Sequence, residues 1–430
     1  MAMTKNIYKK VVFSLYTLTV YFPFATCYSC ATPDDWLSGS ARVQNGIPEQ
    51  EDDDSAHAHI NTRRGEVWPN GIVKYKFHSS LTLRDMFEVK KAFEEFHSKT
   101  CVRFVPWKEG ERDRDFVSIE VDNKICGISN VCKIGGKQYA KFGGECRTMT
   151  TMVHELGHTL CLAHEHQRSD RDDYLNFRNC SEHPRKLRNT RHSSVYDYAS
   201  QMHYECGFCG GGWATTEDIR KCGPDFSRGL SILDVEVINS LYNCQGCQRH
   251  RWVPLSSLTH SDKANMYNFG VTTDGSPLYI CRALILRQLT PGIYDEANQA
   301  CNLTIDFISH NLKDGVELLT IPGGPNAQCS NYQFVNQAEV VPNNFVQVQG
   351  GPIFNNPYLS IDVAYAVKPA TGEVAIGKAL WVENEKRYWD QAEFRIGSET
   401  YTSRDYKVLC CTNNRDCMIE QTFYTSKLDL

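Results

Sequence analysis

The sequence has no strongly basic segment, and beyond its first residues it has no long hydrophobic run. Its 430 residues include 46 basic and 51 acidic side chains, which give a formal net charge of −5. This balance argues against nucleic-acid binding and against a polybasic patch that binds membranes. Hydrophobic residues make up 41% and charged residues 23% of the chain, so wholesale disorder is not expected. A chain of this length is expected to form two or three domains.

Zinc-knuckle repeats are also missing, although the chain contains 19 cysteines. So many cysteines without that metal-binding spacing predict an oxidising compartment and structural disulfides.

The N-terminus has the pattern of a secretory signal peptide. Lys5, Lys9 and Lys10 precede an apolar run at residues 11–25, and small residues follow it up to Cys27. The alternative is a transmembrane anchor, but the run contains Pro23 and is shorter than the ~20 residues that a spanning helix needs. We therefore expect a signal peptide over residues 1–27, a secreted (extracellular) protein and no integral membrane segment.

Three further regions follow the signal peptide. Residues 28–64 are polar and lack periodicity, which predicts a pro-segment. Its end at Arg63-Arg64 is a plausible site for processing proteases, although an unprocessed linker is the alternative. Residues 65–244 mix strand and helix patterns, which predicts an α+β domain. Val73, Tyr75 and Phe77 alternate with lysines as in a half-buried strand, and helical patterns span 82–96 and about 148–162. Residues 245–430 predict short strands between turns, hence a β-rich C-terminal module.

A weak internal echo is visible in this C-terminal part. The segment GSPLYICRAL at 275–284 resembles GEVAIGKAL at 372–380. This similarity predicts two copies of a repeat, and chance similarity is the alternative.

The candidate chemistry rests on HELGHTLCLAH at residues 154–164. His154 and His158 are one helical turn apart, so both can direct a ring nitrogen at one zinc ion. Glu155 lies beside them, too far round the helix to be a ligand but able to touch a zinc-bound water. His164 is the candidate third ligand, because three protein ligands leave an open position for water and substrate. The alternative for His154 and His158 alone is a pair of surface histidines.

Several segments in sequence order resemble the astacin family of metzincin zinc endopeptidases. They are WPNG at 68–71, TCVRF at 100–104, GGKQ at 135–138, the histidine motif, SQMHY at 200–204 and LYNC at 241–244. The resemblance implies a metzincin-type fold with a twisted sheet, an active-site helix and a Met-turn. It implies polypeptide substrates and one catalytic Zn²⁺ bound by His154, His158 and His164.

The same resemblance implies a role for other single residues. Glu155 would be the general base and acid, and Tyr204 a zinc ligand that swings away to stabilise the oxyanion. Met202 would form the floor of the site. Glu165 would meet the freed N-terminus of the mature chain, near Asn61.

Residues 136–142, with Gly136 and Gln138, would be the edge strand that pairs with the substrate. The resemblance also implies two disulfides, Cys101–Cys244 and Cys126–Cys146. Asn179 and Asn302 lie in glycosylation sequons, in keeping with secretion.

The sequence departs from the family pattern at Cys161, which stands where the HExxHxxGxxH signature has glycine. A non-glycine residue with positive φ at that turn would cost on the order of 1 kcal/mol or more. Six cysteines lie beyond the two implied pairs: Cys161 itself, Cys132, Cys180, Cys206, Cys209 and Cys222. We expect structural bridges among these six, but the connectivity is open. The alternative for the CxxC pair at 206 and 209 is a redox or metal motif.

These observations predict a secreted zinc-dependent endopeptidase made as a zymogen. The alternative is a catalytically inactive protease-like protein that acts as a lectin, adhesion or structural binding module. The C-terminal echoes are faintly similar to tandem-repeat invertebrate lectins that bind mannose, so a carbohydrate ligand is a further prediction for the C-terminal module.

Overall fold

The computed structural model describes residues 66–176, 186–187, 195–204, 229–272, 275–326, 330–341, 345–353, 356, 359–382, 385–397 and 399–413. The predicted signal peptide, the pro-segment with Asn61 and Arg63-Arg64, and Asn179 lie outside the described residues. The same holds for Cys180, Cys206, Cys209 and Cys222.

A five-stranded sheet organises the N-terminal part of the described chain. Its strands are β1 (Ile72–Phe77), β2 (Arg103–Pro106), β3 (Phe116–Val121), β4 (Gly127–Ser129) and β5 (Lys137–Phe142). Their order is β2-β1-β3-β5-β4, and β4 alone is antiparallel to its neighbour. In β1 the predicted alternation holds, because Val73 and Tyr75 are buried while Lys76 is exposed.

The prediction that residues 136–142 form the edge of this sheet is wrong. Strand β5 lies between β3 and β4, so β4 is the terminal strand in the described part of the chain. The Gln138 side chain is buried, and it donates to the Cys132 carbonyl and accepts from the Ile134 amide. Gly136, just before the strand, is bonded through its amide to Asp115. A strand is present at 137–142 as expected, but β4 pairs with it on the side that was expected to be free. The chain reversal between these two strands leaves no periodic pattern in the sequence.

Three helices pack with the sheet. They are α1 (Leu83–Lys99), α2 (Met149–Thr159) and α3 (Ile232–Leu241). Thr82, Thr148 and Ser231 cap them by accepting a hydrogen bond from the amide three residues on. Phe93 and Phe96 of α1 share one apolar core with residues of α2, α3 and the sheet. Helix α2 is therefore fixed on one side by this core.

The C-terminal part is β-rich, as expected. Its first sheet has seven strands: β6 (Arg251–Pro254), β7 (Asn268–Val271), β8 (Pro277–Ile285), β9 (Gln288–Asp295), β10 (Ala300–Ile305), β11 (Ile308–Leu312) and β12 (Glu317–Thr320). Its order is β11-β10-β9-β8-β12-β6, with β7 paired to β8, and the short helix α4 (His260–Ala264) precedes β7.

The second sheet of this part has nine strands. They are β13 (Ser330–Asn336), β14 (Val346–Gln347), β15 (Gln349–Pro352), β16 (Leu359–Val367), β17 (Val374–Val382), β18 (Arg387–Tyr388), β19 (Ala392–Ile396), β20 (Glu399–Ser403) and β21 (Lys407–Asn413), with helix α5 (Gln337–Val340) after β13. Trp252 and Ile280 of the first sheet share a core with Val363 and Leu409 of the second. We call residues 251–413 the β module. The two sequence echoes form β8 and β17, one in each sheet, and the repeat itself stays a prediction.

Five disulfides link described cysteines. Two are the pairs that the resemblance implies, Cys101–Cys244 and Cys126–Cys146. The others are Cys132–Cys161, Cys247–Cys411 and Cys281–Cys301. Among the described helices, none is long and apolar enough to span a bilayer. The described chain consists of an α+β part followed by the β module.

Candidate active site

Helix α2 carries His154 and His158 on one face, and it ends at Thr159, three residues earlier than its apolar pattern predicts. The cause is a sharp turn. The Leu160 amide bonds back to Leu156 and Gly157, the Cys161 amide bonds to His158, and Cys161 has φ of 76°. This left-handed residue reverses the chain, so His164 returns to the face that carries the other two histidines.

The three imidazoles converge through their Nε2 atoms. Nε2 of His164 lies 3.2 Å from Nε2 of His154 and 3.1 Å from Nε2 of His158. Tetrahedral ligands at zinc–nitrogen distances of ~2.0–2.1 Å would be separated by about 3.3–3.4 Å. Among the described residues, these three form the group whose ligand atoms could hold a metal ion.

The opposite ring nitrogens explain this orientation. Nδ1 of His154 contacts the Gln201 carbonyl at 2.6 Å, and Nδ1 of His158 contacts the Leu162 carbonyl at 2.9 Å. Nδ1 of His164 contacts Oε1 of Gln167 at 2.8 Å. Carbonyl oxygens only accept hydrogen bonds, so each Nδ1 carries the proton and each Nε2 presents a lone pair. Three lone pairs that face one another at 3.1–3.2 Å have no proton to share, and a cation between them satisfies all three.

Burial keeps these ligands neutral. It lowers the pKa of His154 and His158, and it lowers the pKa of His164 to about 3, with the neighbouring His154 as the next cause. Neutral imidazole is the form that binds metal. A donor set of three histidines suits zinc in a site that keeps a fourth position for water or substrate.

Glu155 is buried beside the triad. Its Oε2 has no hydrogen-bond partner among the described residues. Burial raises the pKa of this carboxyl well above its usual value. Gly127 of β4 leaves the space that Glu155 occupies, since a Cβ at position 127 would lie 2.1 Å from Oε1 of Glu155. An unpartnered carboxylate next to three converging nitrogens is suited to exchange a proton with a molecule bound there.

Tyr204 packs beside the third histidine of the triad. Its ring centroid is 5.1 Å from that of His164 and 3.9 Å from that of His166. Its amide donates to Nδ1 of His166. Burial raises the pKa of the Tyr204 hydroxyl, and the Glu155 carboxylate adds to this. The hydroxyl is therefore protonated at neutral pH and able to donate a hydrogen bond.

Met202 supports the triad from below. It is buried, and a Cβ at Gly157 would come within 2.7 Å of its sulfur, so α2 and Met202 are in close contact. The Met202 amide donates to Ser200 Oγ, and the Met202 carbonyl accepts from the Glu165 amide. The turn at 200–202 thus positions both Met202, beneath α2, and the Gln201 carbonyl that orients His154.

Glu165 is buried behind this turn. Its Oε1 accepts from Nη1 of Arg168 at 2.7 Å and from the Asp197 amide at 2.8 Å. The mature N-terminus that it was predicted to meet lies outside the described residues. The described contacts show Glu165 fixing the segment at 195–197 against the third histidine.

Sequence reasoning missed the partners that orient the site. The oxygens of Gln201, Leu162 and Gln167 and the space at Gly127 carry no signal in local sequence, because each depends on the folded path of the chain. The Cys132–Cys161 bridge left a signal, since both residues were recognised as extra cysteines. Their pairing could not be deduced from sequence alone.

Comparisons with known proteins agree with this geometry. The family model for the astacin family of peptidases matches residues 60–243. Zinc metalloproteinase nas-8 of Steinernema carpocapsae is 34% identical over 194 residues, which is 41% of this chain and 44% of the relative. Astacin-like metalloprotease toxin 1 of Loxosceles intermedia is 30% identical over 200 residues, which is 42% of this chain and 72% of the relative.

Among solved structures, the hatching enzyme zinc-protease high choriolytic enzyme 1 of Oryzias latipes is 29% identical, with a TM-score of 0.34 over 42% of this chain and 95% of that chain. The chain spans about half the length of the first curated relatives that it matches. The family model covers the region that contains the histidine triad, and the toxin-related relative is matched at 30% identity over 72% of its length. The chain therefore belongs to the astacin family.

Proposed function

We propose that the chain is a zinc-dependent endopeptidase that hydrolyses peptide bonds in polypeptides. The observation that carries this proposal is the convergence of the three Nε2 atoms beside the buried Glu155, whose Oε2 has no hydrogen-bond partner among the described residues. A purely structural metal site has no use for such a carboxylate.

His154, His158 and His164 would hold the zinc ion. When bound, zinc supplies Lewis-acid chemistry, which polarises a carbonyl and makes water more acidic. The three Nδ1–H groups, each held by an oxygen, keep the ligand nitrogens aimed at one point without reorganisation.

Glu155 is proposed to be the proton carrier. Its carboxylate would take a proton from the attacking water and return it to the leaving amine. Burial and the raised pKa support this role, because a carboxyl with a pKa nearer neutrality both accepts and returns a proton readily.

Tyr204 is proposed to stabilise the negative charge that develops on the carbonyl oxygen. Its hydroxyl stays protonated, and its ring packs beside His164 and His166. A donor held in place before the reaction needs no reorganisation when that charge appears.

The substrate is proposed to bind as an extended strand along β4. This strand is the terminal one of the sheet in the described residues, and its Gly127 adjoins Glu155. Main-chain hydrogen bonds to an edge strand accept many sequences, which suits a polypeptide substrate.

Secretion, synthesis as a zymogen and a role of Glu165 toward the mature N-terminus are part of the proposal. So are the domain boundaries at 27, 64 and 244, and glycosylation at Asn179 and Asn302. Disulfides between described cysteines support an oxidising compartment. The carbohydrate ligand of the C-terminal module stays a prediction.

Hydrolysis of denatured casein by the zinc-loaded chain, processed near Asn61, tests the proposal. We expect cleavage that a chelator abolishes, that added zinc restores, and that falls by at least about a hundredfold in Glu155→Gln. Glu94→Gln, on the exposed side of α1, is the matched control and should cleave normally. A folded, zinc-loaded chain that does not cleave would favour the alternative, a protease-like protein that acts by binding.

A further inference from the structure

The β module contacts helix α3 through a buried arginine. Arg282 of β8 is 1% exposed. Its Nη1 and Nη2 donate to the two carboxylate oxygens of Glu236 in α3, at 2.8 and 2.7 Å. Its Nε donates to Glu317 of β12 at 2.6 Å. Nη1 also donates to the Gly350 carbonyl at 3.0 Å, and the guanidinium lies over the Trp252 ring.

This contact is of a demanding kind. A bidentate arginine–carboxylate pair fixes both the distance between the two groups and their common plane. Burying the guanidinium is unfavourable unless its donors are satisfied, and here every described nitrogen of the side chain has an acceptor. The position of Glu236 relative to the β module is therefore specified.

Two further contacts extend the same interface. Leu233, one helical turn before Glu236, packs in one apolar cluster with Val195 and with Leu289 of β9. Arg251 of β6 donates to the Asn239 carbonyl near the C-terminal end of α3. The β module thus contacts α3 at three successive points along one face, 233, 236 and 239.

The other face of α3 holds the turn beneath the histidines. Asp234 accepts from Ser200 Oγ at 2.6 Å and from the Gln201 amide at 2.8 Å. The Gln201 carbonyl in turn contacts Nδ1 of His154 at 2.6 Å. A continuous series of hydrogen bonds and covalent links therefore joins Arg282 to a candidate metal ligand.

We propose that Arg282, through Glu236, is a positioning residue for the zinc site, so that the β module is part of the machinery that holds His154. The inference rests on the proposed function for its effect on catalysis, but its effect on zinc binding does not depend on turnover. Arg282 acts through α3 and the 200–202 turn, without touching substrate or metal.

The test compares two variants of the full zinc-loaded chain. Glu236→Gln weakens the pair across the interface and leaves the Arg282–Glu317 pair in place. Glu393→Gln is the matched control, because it weakens the Lys378–Glu393 pair, whose two members both lie within the β module. Zinc release to a chromophoric chelator and the kcat and KM of peptide cleavage are measured for each.

We expect zinc release to be roughly 3- to 10-fold faster in Glu236→Gln, with a fall in kcat, and to change less than about twofold in Glu393→Gln. Unchanged zinc release in Glu236→Gln, or an equal change in both variants, would overturn the inference. If Glu236→Gln does not fold, Arg282→Lys tests the inference instead, because lysine keeps the positive charge but cannot form the bidentate pair with Glu236. The same faster release is expected from it, and wild-type release would overturn the inference.

A wild-type chain that binds zinc but does not cleave peptides would count against the proposed function alone. The difference in zinc release between Glu236→Gln and Glu393→Gln would still decide the role of Arg282.

Discussion

At the scale of single residues, Cys161 determines how the chain leaves helix α2. It has φ of 76°, and its disulfide partner Cys132 also has a positive φ, 64°. Both residues bond through their amides to the His158 carbonyl. A non-glycine residue in this left-handed backbone conformation destabilises the fold by roughly 1 kcal/mol or more. The bridge keeps two such residues in place next to a candidate zinc ligand.

Paired replacements of Cys132 and Cys161 separate the effect of the bridge from the cost of the backbone conformation. Replacing both cysteines removes the bridge, but Cys132→Gly with Cys161→Gly also removes the backbone cost, whereas Cys132→Ala with Cys161→Ala retains it. We expect the alanine pair to be less stable than the glycine pair by about 2 kcal/mol, because two residues contribute. Urea unfolding under identical conditions measures the difference.

Both double variants lose the same disulfide, so each serves as the control for the other. Equal unfolding midpoints would show that the turn does not need the left-handed conformation at these two positions.

At the scale of elements, α1 and β2 are joined by His97. Its Nε2 accepts a hydrogen bond from the Phe104 amide at 2.9 Å, so the ring is neutral. Burial, followed by the nearby Arg103 guanidinium, lowers the pKa of His97 from 6.5 to about 4. The unfolded chain therefore takes up a proton at a higher pH than the folded chain does. The stability that His97 contributes is present above about pH 6.5 and declines as the pH falls toward 4.

We predict that His97→Gln reduces this acid sensitivity. Glutamine can still accept a hydrogen bond from Phe104, but it does not titrate. The loss of unfolding free energy between about pH 7 and about pH 4.5, measured in urea, should be smaller in this variant than in the wild type. His78→Gln, at an exposed site, is the control and should lose as much as the wild type. An equal loss in all three proteins would contradict the assignment.

Local patterns predicted the elements that bury one face, but not how the elements are arranged. The alternation in β1 and the apolar stripe of α1 are set by short-range spacing, so both could be predicted. The position of β5 within the sheet was missed, because β4 pairs with it only after the chain reverses near Cys132. The early end of α2 was missed too, since Leu160 and Leu162 continue the apolar pattern beyond the turn.

At the scale of the whole molecule, the candidate metal ligands could be predicted from local patterns, whereas the residues that orient them could not. The candidate metal-binding triad could be predicted because a helical repeat and one short turn bring its members together. Gln201, Asp234 and Arg282 could not, because they come from segments that are distant in sequence. The β-rich character of the module was evident from its strand patterns, but its contact with α3 through Arg282 depends on the tertiary fold.

The metal content of the purified full chain shows whether three histidines hold one zinc ion. Elemental mass spectrometry should find about one zinc per folded wild-type chain and almost none in His158→Asn. His260→Asn, which changes an exposed histidine of the β module, should keep its zinc. A folded wild-type chain without zinc, or a His158→Asn variant that retains it, would contradict the account.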